Sequence, residues 1–144
     1  MGAEIDPRDD INWTPLDYAA SNGFYKSMQI LLDNDAPVDA RDKNCNTPLH
    51  WAAMNGHVEC VTMLLDNDAD ITLKNIHGKN CLDFAVENNQ QRICMALVKH
   101  DRYLIVSYSL FPIYHKDMNT PLWYSLFECM CSSCSIFMSI LTRK

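Results

Sequence analysis

Glycine is scarce in this chain: four residues in 144, at positions 2, 23, 56 and 78, never two together. A loop that cradles phosphate needs glycines in close succession, so a nucleotide site of that kind is excluded. The sequence also lacks a Gly-x-Ser-x-Gly elbow and a His-Glu-x-x-His helix, which removes the commonest signatures of a serine hydrolase or a zinc protease. Basic clusters are missing too. Twelve Lys and Arg face 18 Asp and Glu, for a net charge of −6. Phosphate backbones are held by grouped Lys and Arg, so nucleic acid is not the expected partner.

The seven cysteines, at 45, 60, 81, 94, 129, 131 and 134, are odd in number and scattered. They outline no disulfide framework. Nothing with the pattern of a secretory leader accompanies them, so a reducing, cytoplasmic setting is expected. Met1-Gly2 is followed by Asp6 where a myristoylation signal would carry Ser or Thr, and that reading is set aside.

What the chain does have is a period of 33 residues. Thr14-Pro15-Leu16-Asp17-Tyr18-Ala19-Ala20 returns as Thr47-Pro48-Leu49-His50-Trp51-Ala52-Ala53, then in altered form as Asn80-Cys81-Leu82-Asp83-Phe84-Ala85-Val86. Leu31-Leu32-Asp33-Asn34-Asp35-Ala36 recurs as Leu64-Leu65-Asp66-Asn67-Asp68-Ala69, and 14 of 33 positions agree between the first two copies. Unrelated stretches would share about two, so the units are repeats of one structural module. Stacked modules of this kind build extended gripping surfaces.

Each copy reads as a helix pair. Thr14, Thr47 and Asn80 are N-caps, and Pro15 and Pro48 occupy first helical positions, where a missing N–H costs nothing. Asp17 and Asp83 stand three residues past the cap, placed to reach back to it. Gly23, Gly56 and, in the third copy, Asn89 end the first helices in a left-handed turn. Second helices are predicted over 25–33, 58–66 and 91–99. Their apolar faces are Met28, Leu31 and Leu32; Val61, Leu64 and Leu65; Cys94, Leu97 and Val98. Polar connectors at about 35–45 and 68–78 suit hairpin-like turns between units.

Thr47-Pro48-Leu49-His50, Gly56-His57, the paired leucines and Asp68-Ala69-Asp70 together resemble the ankyrin repeat. The resemblance implies an all-α solenoid of about three helix-turn-helix repeats with hairpin-like connectors, and a concave face built from hairpins and first helices. The predicted organisation is the end of a preceding repeat at 1–8, repeats at 9–41, 42–74 and 75–103, and an apolar tail at 104–144. Because Gly2-Ala3 falls where a repeat ends, the expectation is a fragment, an isoform or a partial gene product of a longer array. A short complete protein is the alternative. The third copy, from Gly78 to Asn89 with Met95-Ala96-Leu97-Val98 and Asp101-Arg102-Tyr103, resembles the closing repeat of transient receptor potential cation channels of the ankyrin type. Tyr103 stands where that family carries Trp, and the residues beyond do not match its linker. The resemblance implies a cytosolic array, at the inner face of the plasma membrane, that associates with full-length channel subunits and contains no pore. A freestanding cytosolic adaptor is the second reading.

Contact residues are expected on the hairpins and first helices: Ile11, Asn44 and His77 in one row; Trp13, Asn46 and Lys79 in a second; the aromatics Tyr18, Trp51 and Phe84 in a third. Aromatics concentrate interface energy, although packing between repeats also explains the third row. Cys45, His50, His57 and Cys60 supply metal-type ligands, but their spacing is not that of a zinc finger. No metal, no cofactor and no catalytic group is expected; the acids are accounted for by helix starts and solvated turns. Residues 122–141 are long enough to span a bilayer, yet Glu128 and five serines make them poor for it. A helix packed on the last repeat or a non-native extension are the other readings of the tail. Its Cys129, Cys131 and Cys134 lack a partner histidine and offer palmitoylation only if the tail meets a membrane.

Overall fold

The structure, a computed structural model, describes residues 6–100. The tail at 104–144, the closing Asp101-Arg102-Tyr103 and the start at 1–5 lie outside the described residues. Six helices are found within them and no strand: α1 (Pro15–Asn22), α2 (Tyr25–Asp33), α3 (Pro48–Asn55), α4 (Val58–Asp66), α5 (Cys81–Glu87) and α6 (Gln91–His100).

Each first helix starts as its cap dictates. Thr14 Oγ1 accepts from Asp17 N at 3.2 Å, while Asp17 Oδ2 accepts from Thr14 N at 2.9 Å. Asn80 and Asp83 repeat this reciprocal pair at 3.0 and 2.8 Å. In the second copy Nδ1 of His50 stands in for the carboxylate, 3.1 Å from Thr47 N. Such caps satisfy donors that the first helical turn leaves open.

The backbone records the same period. Every positive φ among the described residues falls into one of three repeated slots. Gly23, Gly56 and Asn89 turn the chain from first to second helix, with φ of 73°, 82° and 54°. Asp35 and Asp68 follow the second helices, and Asn12, Cys45 and Gly78 sit in the hairpins. The Asn89 expectation is met: Gln90 N donates to Ala85 O just as His57 N donates to Ala52 O.

The described residues up to Leu97 form one compact unit. In it, α1 packs on α3 and α3 on α5, and α2 packs on α4, so the first helices form a row. Leu16, Leu49 and Leu82 are buried between them, with Ala20, Ala52 and Ala53 letting the helices approach. Burying a leucine contributes about 2 kcal/mol, so these positions anchor the stack. The second-helix faces are unequal. Val61, Leu64 and Leu65 of α4 are buried, whereas in α2 only Met28 is, with Leu31 and Leu32 half-buried. The leucines of α2 correspond to those of α4, but α4 has α2 lying on it, whereas among the described residues no helix precedes α2 in this row.

Candidate functional site

The connectors fold into hairpins through an Asx side chain at one repeated position. Asp9 Oδ1 accepts from Ile11 N and Trp13 N at 3.0 and 2.8 Å. Asp42 Oδ1 accepts from Asn44 N and Asn46 N, both at 2.8 Å. Asn75 Oδ1 accepts from His77 N and Lys79 N at 2.9 and 3.1 Å. Asp and Asn favour such turns because the side chain mimics the backbone acceptor. Adjacent hairpins are then laced together. Lys43 N donates to Ile11 O at 3.2 Å, and Ile76 N donates to Asn44 O at 3.0 Å.

These bonds hold Ile11, Asn44 and His77 at exposed hairpin positions. The second row splits. Trp13 and Lys79 are half-buried, but Asn46 is only 4% exposed. Its amide donates to Asp42 Oδ2 at 3.2 Å and its carbonyl oxygen accepts from Asn75 Nδ2 at 2.9 Å. Asn46 therefore corrects the expectation of a contact residue: its polarity is spent joining two hairpins, and no surface is left to offer.

The aromatic row is continuous across the first two repeats. Trp13 lies 4.8 Å from Tyr18, edge to face, and 4.7 Å from Trp51. Tyr18 is the exposed end of this cluster, and its hydroxyl donates to Asp9 Oδ2 at 2.6 Å. That bond lowers the Asp9 pKa and raises that of Tyr18. Phe84 has other company: His50 packs edge-on at 5.9 Å, and Lys79 Nζ stands 5.8 Å from its centroid. Lys79 also pairs with Glu87 at 2.7 Å. Half-buried Trp51 and Phe84 thus combine packing with a share of accessible ring.

The four metal-type side chains noted in the sequence are differently employed. His50 Nε2 lies 3.2 Å from Lys79 O, and His57 Nε2 lies 3.0 Å from Ser21 O, each a tie to a neighbouring repeat. Burial raises the Cys60 pKa, a poor preparation for a thiolate ligand. Among the described residues no group of three His, Cys, Asp or Glu could hold a metal ion. The same residues include no helix long and apolar enough to cross a membrane.

Two exposed apolar features were not singled out from the sequence. Ile76 projects from the third hairpin, 57% exposed. A groove of about 770 Å³ opens between residues 7–9, α1 and α2, lined by Trp13, Tyr18, Phe24, Ile30 and Leu31 among others. Its register is informative. Ala52, Cys60 and Leu64, the equivalents of Ala19, Ser27 and Leu31, are buried in the second repeat.

The family model described as ankyrin repeats (3 copies) matches residues 1–75 and 35–108. The chain belongs to the ankyrin-repeat family. A search of curated proteins found no match. The ankyrin repeat is a non-catalytic scaffold for protein interaction, and the stack of residues 6–100 is built to that plan.

Proposed function

We propose that this ankyrin array docks a protein partner on its hairpin side. The observation that carries the reading is the hairpin lacing, which fixes exposed Ile11, Asn44, Ile76 and His77 on one rigid frame beside the Trp13–Tyr18–Trp51 cluster. Rigid aromatic and apolar side chains lose little entropy on binding, and such anchors dominate interface energy. The acidic balance of residues 1–103, 16 acids against 9 Lys and Arg, favours a partner with a basic face.

The finer reading is a segment of the cytosolic ankyrin domain of a transient receptor potential cation channel of the ankyrin type. It is supported by the likeness of 78–103 to that family's closing repeat. In this role the array relays partner binding to a pore formed by other sequence. A freestanding cytosolic adaptor is the competing reading.

Photo-crosslinking residues placed at Asn44 and His77, with Gln29 and Glu59 on second helices as controls, test the docking side. Specific adducts from the hairpin positions alone support it; adducts from the second helices alone refute it. Channel subunits among the hairpin adducts favour the channel reading, and other proteins favour the adaptor.

A further inference from the structure

The first helices end alike in sequence but not in bonding. Asn22, Asn55 and Asn88 hold one repeated position, and all three are exposed. Glycine follows the first two and Asn89 the third; the chain has no other Asn-Gly pair. Asn55 Nδ2 donates across the joint to Ser21 O and Ser21 Oγ, at 3.0 and 3.1 Å. Asn22 Nδ2 stays within its own last helical turn, donating to Tyr18 O at 2.8 Å. Asn88 does the same with Phe84 O at 2.9 Å. Fraying of one helix end frees Asn22, whereas Asn55 is released only when two repeats part.

We propose that Asn22 is a self-modification site at the joint between the first two repeats, converting to isoaspartate through attack by the nitrogen of Gly23. That nitrogen bonds to Asn22 Cγ, the Cγ–Nδ2 bond breaks, and ammonia leaves with the Gly23 proton. Water then opens the cyclic imide at either carbonyl, giving aspartate or isoaspartate at position 22. Only water is consumed. Glycine has no side chain to shield its nitrogen, so Asn88, followed by Asn89, is the poorer substrate. In the closed turns Gly23 N donates to Ala19 O, and Gly56 N to Ala52 O. Reaction therefore waits for a turn to open. Opening is easier in the first unit, where Leu31 and Leu32 of α2 are only half-buried.

The product matters because of what the turn seats. Isoaspartate adds a methylene to the main chain immediately before Gly23. His57 packs so closely there that a carbon on Gly23 would lie 2.6 Å from its Nδ1, and its Nε2 reaches Ser21 O at 3.0 Å. Shifting the turn breaks that tie, so the modification loosens the first repeat from the second.

Ageing the full chain in mildly alkaline buffer, folded and in urea, tests this by peptide mass mapping with an isoaspartate assay. In urea Asn22 and Asn55 should convert at comparable rates, with Asn88 well behind. In the folded chain Asn22 should convert about tenfold faster than Asn55. Amides 51–57 of the isoaspartate form should then exchange hydrogen faster than those of Asn22→Gln aged alongside. A folded rate at Asn22 no greater than at Asn55, or unchanged exchange at 51–57 in the isoaspartate form, overturns the proposal. The readout needs no partner and stands apart from the docking reading.

Discussion

A side-chain carbon added to Gly23 would stand 2.6 Å from Nδ1 of His57, which itself reaches the Ser21 carbonyl at 3.0 Å. The turn that ends one first helix is therefore the seat for the residue that starts the next repeat's second helix. Gly56 and Gln90 repeat the relationship at 2.8 Å. Close backbone approach, rather than the leucines alone, sets the spacing of the stack.

Gly23→Ala should destabilise the array by about 2 kcal/mol, since it combines a left-handed φ with a clash against His57. Gly78→Ala, with nothing within 4 Å, carries only the conformational cost of about 1 kcal/mol. Urea melts of the two variants should rank them in that order.

Cys45 shares the hairpin slot of Gly78 and adopts φ of 59°. Cys45→Gly should relieve that conformation and raise stability by up to about 1 kcal/mol, visible as a higher urea midpoint. An unchanged or lower midpoint would contradict strain at this turn.

His50 ties two repeats as a neutral ring, and burial lowers its pKa from 6.5. Below pH 6.5 the unfolded chain takes up a proton that the folded ring resists, so this group makes stability fall on acidification. His50→Gln should lose about 1 kcal/mol at pH 7.5 through the weakened tie, yet show a shallower loss down to pH 5 than wild type. Thermal melts across that range check both signs.

Leu49, buried at the centre of the row, and Ile30, 64% exposed on α2, test where the core lies. Leu49→Ala should cost about 3 kcal/mol, whereas Ile30→Ala should stay within about 0.5 kcal/mol. Comparable losses in denaturant melts would mean that the burial pattern is misplaced.

Much of this architecture was legible in the sequence because the period carries it. Caps, turn glycines and the Leu16–Leu49–Leu82 row each recur at 33 residues, and one copy vouches for the next. Asn89 could be placed by register alone. The hairpin positions were harder. Trp13, Asn46 and Lys79 share a slot but not a fate, since the partner that buries Asn46 is Asn75, 29 residues away. Polarity alone reads such a residue as solvated. The departure of Asp17 from His50 was visible in the sequence, but that it leaves a buried oxygen, Oδ1, without a hydrogen-bond partner was not. Ile76 has polar counterparts in Asp10 and Lys43, so no repeated pattern marked it.

Docking on the hairpin side is most directly tested by hydrogen exchange of the full chain with and without the protein captured by crosslinking. Protection confined to residues 9–13, 42–46 and 75–79 and the adjoining first helices is the predicted footprint. Protection falling on α2 and α4, with the hairpins unchanged, would contradict it.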